Sequence, residues 1–228
     1  MINRRENWIG DLPADIRAAL EGCAVERAYA PGETIVRAGD PATGVHQVIE
    51  GYVKVTGLTS GGETALIVVY GPGNAWGESP LIAERGHHHT TTAMTAVRVR
   101  HIPRAEFLRL FHAHAAVSVA LCRKFSRAMS GLIRHGEAQA ADRMARRVAA
   151  CFYGFVRDLP RAADANRCML DVPLTQSDIA SFLGVTRQSV QPEIAALKAA
   201  GILEKRDRTW DVHDIARLKR RARHVGAP

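Results

Sequence analysis

Cysteine is scarce and poorly spaced for chemistry. Four occur, Cys23, Cys122, Cys151 and Cys168, and no C-x-x-C is present. That pattern argues against a disulfide framework and a zinc ribbon, and it leaves the four to be read as small, partly buried hydrophobes. An iron–sulfur cluster is not expected either, because it needs several thiolates together and Cys23 stands alone near the N-terminus. No apolar run approaches the roughly 20 residues of a membrane helix, so no membrane partner is expected. Residues Met1-Ile2-Asn3-Arg4-Arg5-Glu6-Asn7 lack the apolar core of a signal peptide. Together these absences make the cytoplasm the expected location. Nucleophile elbow, P-loop, dinucleotide fingerprint and HExxH are all missing, so enzyme chemistry is not expected. There is no internal repeat and no low-complexity tract.

What is present is an ordinary globular balance, 46% apolar and 24% charged, over 228 residues. That length suits two domains, each with its own core. Net charge is +8, and residues 137–228 hold 16 Lys/Arg against 11 Asp/Glu. A basic excess concentrated there suits a polyanionic partner.

The order of elements reads as helix, strands, helix, then a small mixed domain. Residues 1–23 read as helical, with Pro13 suited to a first helical position. From about Val25 to Ile102 short strand-like runs alternate with glycine turns. They include Thr34-Ile35-Val36, Val45-His46-Gln47-Val48-Ile49, Tyr52-Val53-Lys54-Val55 and Ala65-Leu66-Ile67-Val68-Val69-Tyr70. That spacing predicts an antiparallel barrel or roll. Pro103 to about His135 reads as helix. Within it Leu121, Phe125, Ala128 and Leu132 fall at spacings of a coiled-coil stripe, which fits either a dimer seam or plain core. A further helix is expected over Asp142 to Arg157, and a loop over Leu159 to Asn166.

The most informative stretch is Leu174 to Val190. Thr175 and Asp178 make a capping-box pattern, Ile179, Ala180, Phe182 and Leu183 give a short helix its apolar face, and Gly184 supplies the turn. Thr186 then caps a second helix that begins Arg187-Gln188-Ser189, side chains suited to base edges. This is a helix-turn-helix, whose second helix enters the major groove of DNA. Ile202-Leu203-Glu204 and Trp210-Asp211-Val212 predict two strands around Arg206-Asp207-Arg208, a basic wing, and a last basic helix follows.

Several motifs in this order resemble the Crp/Fnr family of bacterial transcription regulators. They are Pro31 to Asp40, Ile49 to Val55, Pro72-Gly73-Asn74-Ala75-Trp76-Gly77-Glu78, Leu174 to Val190, and Leu197 to Leu203. The fold class implied is α+β. An N-terminal β-roll of the jelly-roll, cyclic-nucleotide-binding-like kind would span 1–112, a long dimerisation helix 113–136, and a winged helix-turn-helix 137–228. The resemblance implies a homodimer on a pseudo-palindromic double-stranded DNA site, contact with RNA polymerase, and allosteric control through the roll by an effector it does not name. It assigns Arg187 and Gln188 to base edges and Thr175, Ser177 and Ser189 to phosphates. Gln191 and the wing residues Lys205, Arg206 and Arg208 complete the expected DNA surface. The seam would be Leu121, Phe125, Ala128 and Leu132. One departure stands out: the family's arginine four residues before Ala196 is here Pro192. Either the helix kinks there, or Thr186 holds its first turn separately.

In members that bind cyclic nucleotides a Gly-Glu pair holds the ribose and an arginine holds the cyclic phosphate. Gly77 and Glu78 match the first pair. The arginine position falls near His87 and His88, with Arg85 two residues early. A cyclic nucleotide is therefore one candidate effector. The run His87-His88-His89 opens a second reading, haem or metal sensing of gas or redox state, although consecutive residues of an extended chain face alternate ways. A third reading is a cyclic-nucleotide-binding module that acts on other proteins, which needs no helix-turn-helix.

Overall fold

Trp8, Ile9 and Leu12, all buried, open the described chain. The computed structural model describes residues 7–141, 143–157 and 166–223. It divides into two compact units. Of the described residues, one unit holds 7–59 and 67–131, and the other holds 60–66 and those from Leu132 onward, so that two of the elements below run across the division.

The first unit begins with α1 (Ala14–Gly22), which starts one residue later than expected, with Pro13 as its N-cap in extended backbone rather than its first residue; residues 7–13, read as helical from the sequence, are turns and coil. Then come β1 (Val25–Tyr29), β2 (Thr34–Val36), β3 (Gly44–Glu50), β4 (Val53–Leu58), β5 (Thr64–Tyr70) and β6 (Ala75–Trp76), followed by α2 (Glu78–Ile82), β7 (Thr90–Ala93) and β8 (Val97–Pro103). The strands form two antiparallel sheets, ordered β1-β8-β3-β6 and β2-β7-β4-β5. Alternation along each strand sends one set of side chains inward. Val48, Val53, Trp76, Ala93, Val97 and Val99 make the cluster between the sheets. This is the roll the turn spacing predicts.

Two helices follow, α3 (Arg104–Ala113) and α4 (Ala115–Ala141), where the sequence reads as one. The break is at His114, whose backbone is extended, and the two axes differ by 103°. The bend lets α3 and the first turns of α4 pack together. Phe107, Leu110, Val117 and Leu121 join Trp8, Ile9, Leu12 and Leu20 in a second core cluster. Among the described residues no single helix is long and apolar enough to cross a membrane; α3 and α4 pass that test of length and composition only together, across the 103° bend.

The second unit holds α5 (Met144–Val156), β9 (Cys168–Leu170), α6 (Gln176–Leu183), α7 (Arg187–Ala199), β10 (Leu203–Arg206), β11 (Thr209–Val212) and α8 (Ile215–Ala222). A three-stranded sheet, β10-β11-β9, forms the wing. Phe152 meets Trp210 edge-on at 5.0 Å between ring centres, in a core with Val148, Ile179, Leu183, Ile194 and Leu218. The loop expected over 159–166 lies, apart from Asn166, outside the described residues.

Candidate nucleic-acid interface and roll interior

The helix-turn-helix is built from its caps. Thr175 Oγ1 accepts the Asp178 backbone N–H at 3.0 Å, and Asp178 Oδ2 accepts the Thr175 N–H at 2.9 Å. This reciprocal box satisfies two donors that a helix start would otherwise leave open. Trp210 Nε1 donates to Leu174 O at 2.8 Å, which ties the residue before the cap to the wing. Gly184 ends α6 at φ 65°, a left-handed conformation that costs little without a Cβ. Arg147 of α5 donates to the last carbonyl of α6, Leu183 O. Thr186 then caps α7 by accepting the Ser189 N–H at 3.3 Å.

α7 runs unbroken through Pro192. Proline removes the bond to the Gln188 carbonyl one turn back. The helix persists because Val190, Ile194 and Leu197 are buried on one face, while Pro192 is exposed on the other. Arg217 Nη1 donates to Ala200 O at the far end, 3.0 Å away.

Arg187, Gln188 and Gln191 are exposed on the leading part of α7, and Ser189 is half-buried. Thr175, Gln176, Ser177, Arg187 and Lys205 line a shallow depression of about 410 Å³. Gln176 is absent from the sequence assignment, although its place between Thr175 and Ser177 in the first turn marks it. Lys205 Nζ lies 5.3 Å from the centre of the Trp210 ring, within cation–π range. Arg206 turns along its own hairpin, with Nε 2.7 Å from Asp211 Oδ2. Arg208 is exposed at the turn beside Asp207, whose φ is +46°.

In the first unit, Gly77 begins α2 at φ +103°, where an added Cβ would lie 2.5 Å from Gly44 O. Only glycine fits there, and it delivers Glu78 into the interior. Glu78 is 2% exposed and already engaged. Lys124 Nζ of α4 lies 2.9 Å from each of its carboxylate oxygens and 2.7 Å from Ala75 O. Trp8 Nε1 donates to Glu78 Oε1 at 2.5 Å. Lys124 and Trp8 are the partners sequence reasoning missed. The signal was there, since Lys124 falls on the same helical face as Val117, Ala120 and Leu121, which are buried. Arg85 and His88 are exposed, whereas His87 is buried, so the residues expected around an effector do not converge on Glu78 as an open group. Burial lowers the His87 pKa against an opposing pull from Asp40. Among the described residues no three His, Cys, Asp or Glu side chains are grouped to hold a metal.

A column of rings crosses the β1-β8-β3-β6 sheet. Register sets His46 of β3 beside His101 of β8 and Trp76 of β6. His46 stacks on Trp76 at 5.0 Å, Trp76 stacks on Tyr70 at 6.0 Å, and His46 Nε2 lies 3.2 Å from His101 Nδ1. His46 Nδ1 and Trp76 Nε1 are buried without a hydrogen-bond partner among the described residues. Burial first, then His101, His87 and Arg27, push the His46 pKa down to about 3.

The seam expected on α4 needs correction at one end. Leu121 is 1% exposed and belongs to the helix-packed core, so it faces away from any partner. Phe125, Ala128 and Leu132 are exposed. On the face opposite Leu121, Val119, Cys122, Ser126, Met129 and Ile133 are exposed at spacings of 3, 4, 3 and 4. Spacing alone gave a stripe but not which side of the helix the roll would cover. Cys122 is thus exposed rather than partly buried, and all four cysteines are free thiols.

Two family models match. A cyclic nucleotide-binding domain matches residues 26–114, and a Crp-like helix-turn-helix domain matches residues 146–221. Among curated proteins, the nitrogen fixation regulation protein FixK of Rhizobium meliloti is 27% identical over 86% of each chain. The transcriptional regulator LdrP of Thermus thermophilus is 28% identical over 85% of this chain and 95% of its own. Among solved structures, FixK2 from Bradyrhizobium japonicum superimposes with a TM-score of 0.77 at 24% identity, covering 89% of this chain and 99% of its own. A matched cyclic nucleotide-binding roll and a matched Crp-like helix-turn-helix, in that order on one chain, make it a member of the Crp/Fnr family of transcription regulators.

Proposed function

We propose that this regulator reads DNA through α7, with Arg187 and Gln188 on base edges and Gln191 beside them. Arg suits guanine O6 and N7, and Gln suits adenine N6 and N7. Thr175, Ser177, Ser189, Lys205, Arg206 and Arg208 hold phosphates on either side and set the register. The observation that carries the reading is the depression shared by Thr175, Ser177, Arg187 and Lys205, in which a cap, a recognition-helix arginine and a wing lysine converge. Two copies join through the exposed apolar face of α4, centred on Met129 and Ile133, and each supplies one half-site. The reading carries with it a cytoplasmic location and contact with RNA polymerase. The unknown effector acts, in this reading, by shifting the population of α4 arrangements.

The test is fluorescence anisotropy of the full-length protein against a pool of palindromic DNA sites at fixed salt, with and without cyclic AMP. Specific binding is expected, and Arg187→Ala should cost about 1–3 kcal/mol and relax preference at one base position. A uniform loss across all sequences would make Arg187 a phosphate contact. No specific binding by the wild type would overturn the assignment.

A further inference from the structure

The last helix carries charge that the reading above leaves unused. Residues 215–223 hold five Lys/Arg and no Asp or Glu. Ile215 and Leu218 are buried and set the inner face of α8, which leaves Arg217, Lys219, Arg220 and Arg221 exposed, with Arg223 exposed at its end. Arg217 serves the fold, since its Nη1 donates to Ala200 O at the end of α7. Asp214, just before the helix, serves its cap: Oδ1 accepts the Arg217 backbone N–H at 2.8 Å and the Asn166 side-chain amide at 3.0 Å. Among the described residues Lys219, Arg220, Arg221 and Arg223 form no ion pair, whereas the exposed Arg98, Arg109 and Arg206 each lie within 3.2 Å of a carboxylate oxygen. Arg217 and Arg221 are four residues apart and Arg217 and Arg220 three, spacings at which like charges weaken a helix. Only the negative end of the helix dipole, which favours cations in the last turn, offsets this.

A polyanion would relieve the repulsion, and the composition of the face says which kind. Besides its cations the helix exposes only Ala216. Protein partners are gripped by apolar and aromatic cores depleted of charge, and this face has no such anchor. Nucleic-acid backbones are held by positive, polar surfaces, and three of the four unpaired cations are arginines, whose forked donors match phosphate oxygens. Placement adds the position on the duplex. Only His213 and Asp214 separate α8 from β11, whose four residues set the wing tip about 13 Å away. Arg217 fixes α8 to the trailing end of α7, about 20 Å along that helix from Arg187. α8 therefore stands back from the groove assigned to α7. The phosphates within its reach belong to duplex beyond the half-site, where it turns toward the protein.

We propose that the outward face of α8, through Lys219, Arg220, Arg221 and Arg223, is a second DNA contact that holds backbone phosphates beyond the half-site read by α7, without regard to sequence. The inference rests on the regulator reading above and adds a surface to it.

The experiment is anisotropy of the full-length protein, from low to high salt, on two duplexes bearing the same selected site. One ends at the half-sites, and the other continues for about two helical turns, roughly 20 base pairs, on each side. The wild type is compared with Lys219→Gln/Arg220→Gln/Arg221→Gln/Arg223→Gln, with the double variant Arg220→Gln/Arg221→Gln, and with Arg220→Lys/Arg221→Lys, which keeps the charge. Circular dichroism checks folding. Each phosphate neutralised adds about 0.9 to the slope of log affinity against log salt. With one or more per protomer of a dimer, the wild-type slope should steepen by about 2 or more on the longer duplex, with at least tenfold tighter binding. The fourfold variant should match the wild type on the short duplex and lose that gain on the long one. The double variant should lose part of it, and the Lys variant should keep it. No flank gain in the wild type, or the same gain in a folded fourfold variant, would overturn the proposal. In the first case, loss of RNA polymerase binding by the fourfold variant would assign α8 to a protein partner. If the fourfold variant does not fold, the double variant decides. Should the wild type show no site-specific binding, the regulator reading fails. The salt slopes of wild type and fourfold variant on heteropolymeric DNA still judge α8, since equal slopes overturn its role.

Discussion

His46 shows how a single side chain acquires behaviour its neighbours in the sequence do not announce. Its pKa falls to about 3, chiefly through burial and then through His101, His87 and Arg27. His101 and His87 are lowered from 6.5 in the same direction, again with burial first. Between about pH 6.5 and pH 3 the unfolded chain binds a proton on His46 and the folded chain does not. Stability is therefore full above pH 6.5 and declines as pH falls through this window, at up to ~1.4 kcal/mol per pH unit for one such group. Urea unfolding at pH 7.5 and pH 5.5 measures it. His46→Phe keeps a ring against Trp76 and removes the titrating nitrogen, so its loss of stability between the two values should shrink by about 1.4 kcal/mol, half of one proton's full slope over two pH units because the unfolded histidine is only half-protonated at pH 6.5. An unchanged loss would move the source to other groups. The sequence shows three histidines at 87–89 and draws attention there. The consequential ring is instead His46, since its partners His101 and Trp76 are 55 and 30 residues away and meet it only through strand register. Glu78 was singled out only through resemblance to the family's Gly-Glu pair, and its lysine partner was not, because helical periodicity assigns a face and not a partner.

Elements built from local rules were read well, and those that depend on distant edges were not. The helix-turn-helix is specified within about a dozen residues by caps, a glycine and an apolar stripe, so both caps appear where the sequence predicts them. β9 went unread because Cys168–Leu170 is too short to carry a pattern and exists as a strand only by pairing with the edge of β11. The bend at His114 has no glycine or proline to mark it. Two substitutions test the local energetics. Thr175→Ala removes one half of the capping box and should lower stability by about 1 kcal/mol. Pro192→Ala restores a donor to the Gln188 carbonyl in the middle of α7. It should raise stability by about 1–3 kcal/mol, the upper figure being that of a proline deep in a helix. Thermal unfolding followed at 222 nm separates the two signs. An unchanged or lower midpoint for Pro192→Ala would mean that exposed Pro192 is stabilised by something other than the buried face formed by Val190, Ile194 and Leu197. DNA affinity of the same variant tells whether proline also shapes the groove contact.

Across the whole molecule the two faces of α4 divide the labour, and substitutions on them should fail in different ways. Leu121 lies in the core that α3 and α4 build against the roll. Leu121→Glu buries an unpaired charge, so the expected outcome is a misfolded first unit with reduced helical signal and a lowered melting midpoint. Ile133, 57% exposed, and Met129, 62% exposed, leave large apolar side chains in water in a single chain. Members of this family work as dimers, and covering that stripe with its own copy is the economical solution to the seam. Ile133→Glu should therefore give a chain with unaltered circular dichroism that sediments as a monomer. The DNA readout then has a quantitative form. A dimer neutralises phosphates at two half-sites and a monomer at one, so the slope of log affinity against log salt should fall to about half its wild-type value, alongside a loss of at least tenfold in affinity. A variant that stays dimeric, or one that becomes monomeric while keeping the wild-type salt slope, would place the seam elsewhere on the molecule.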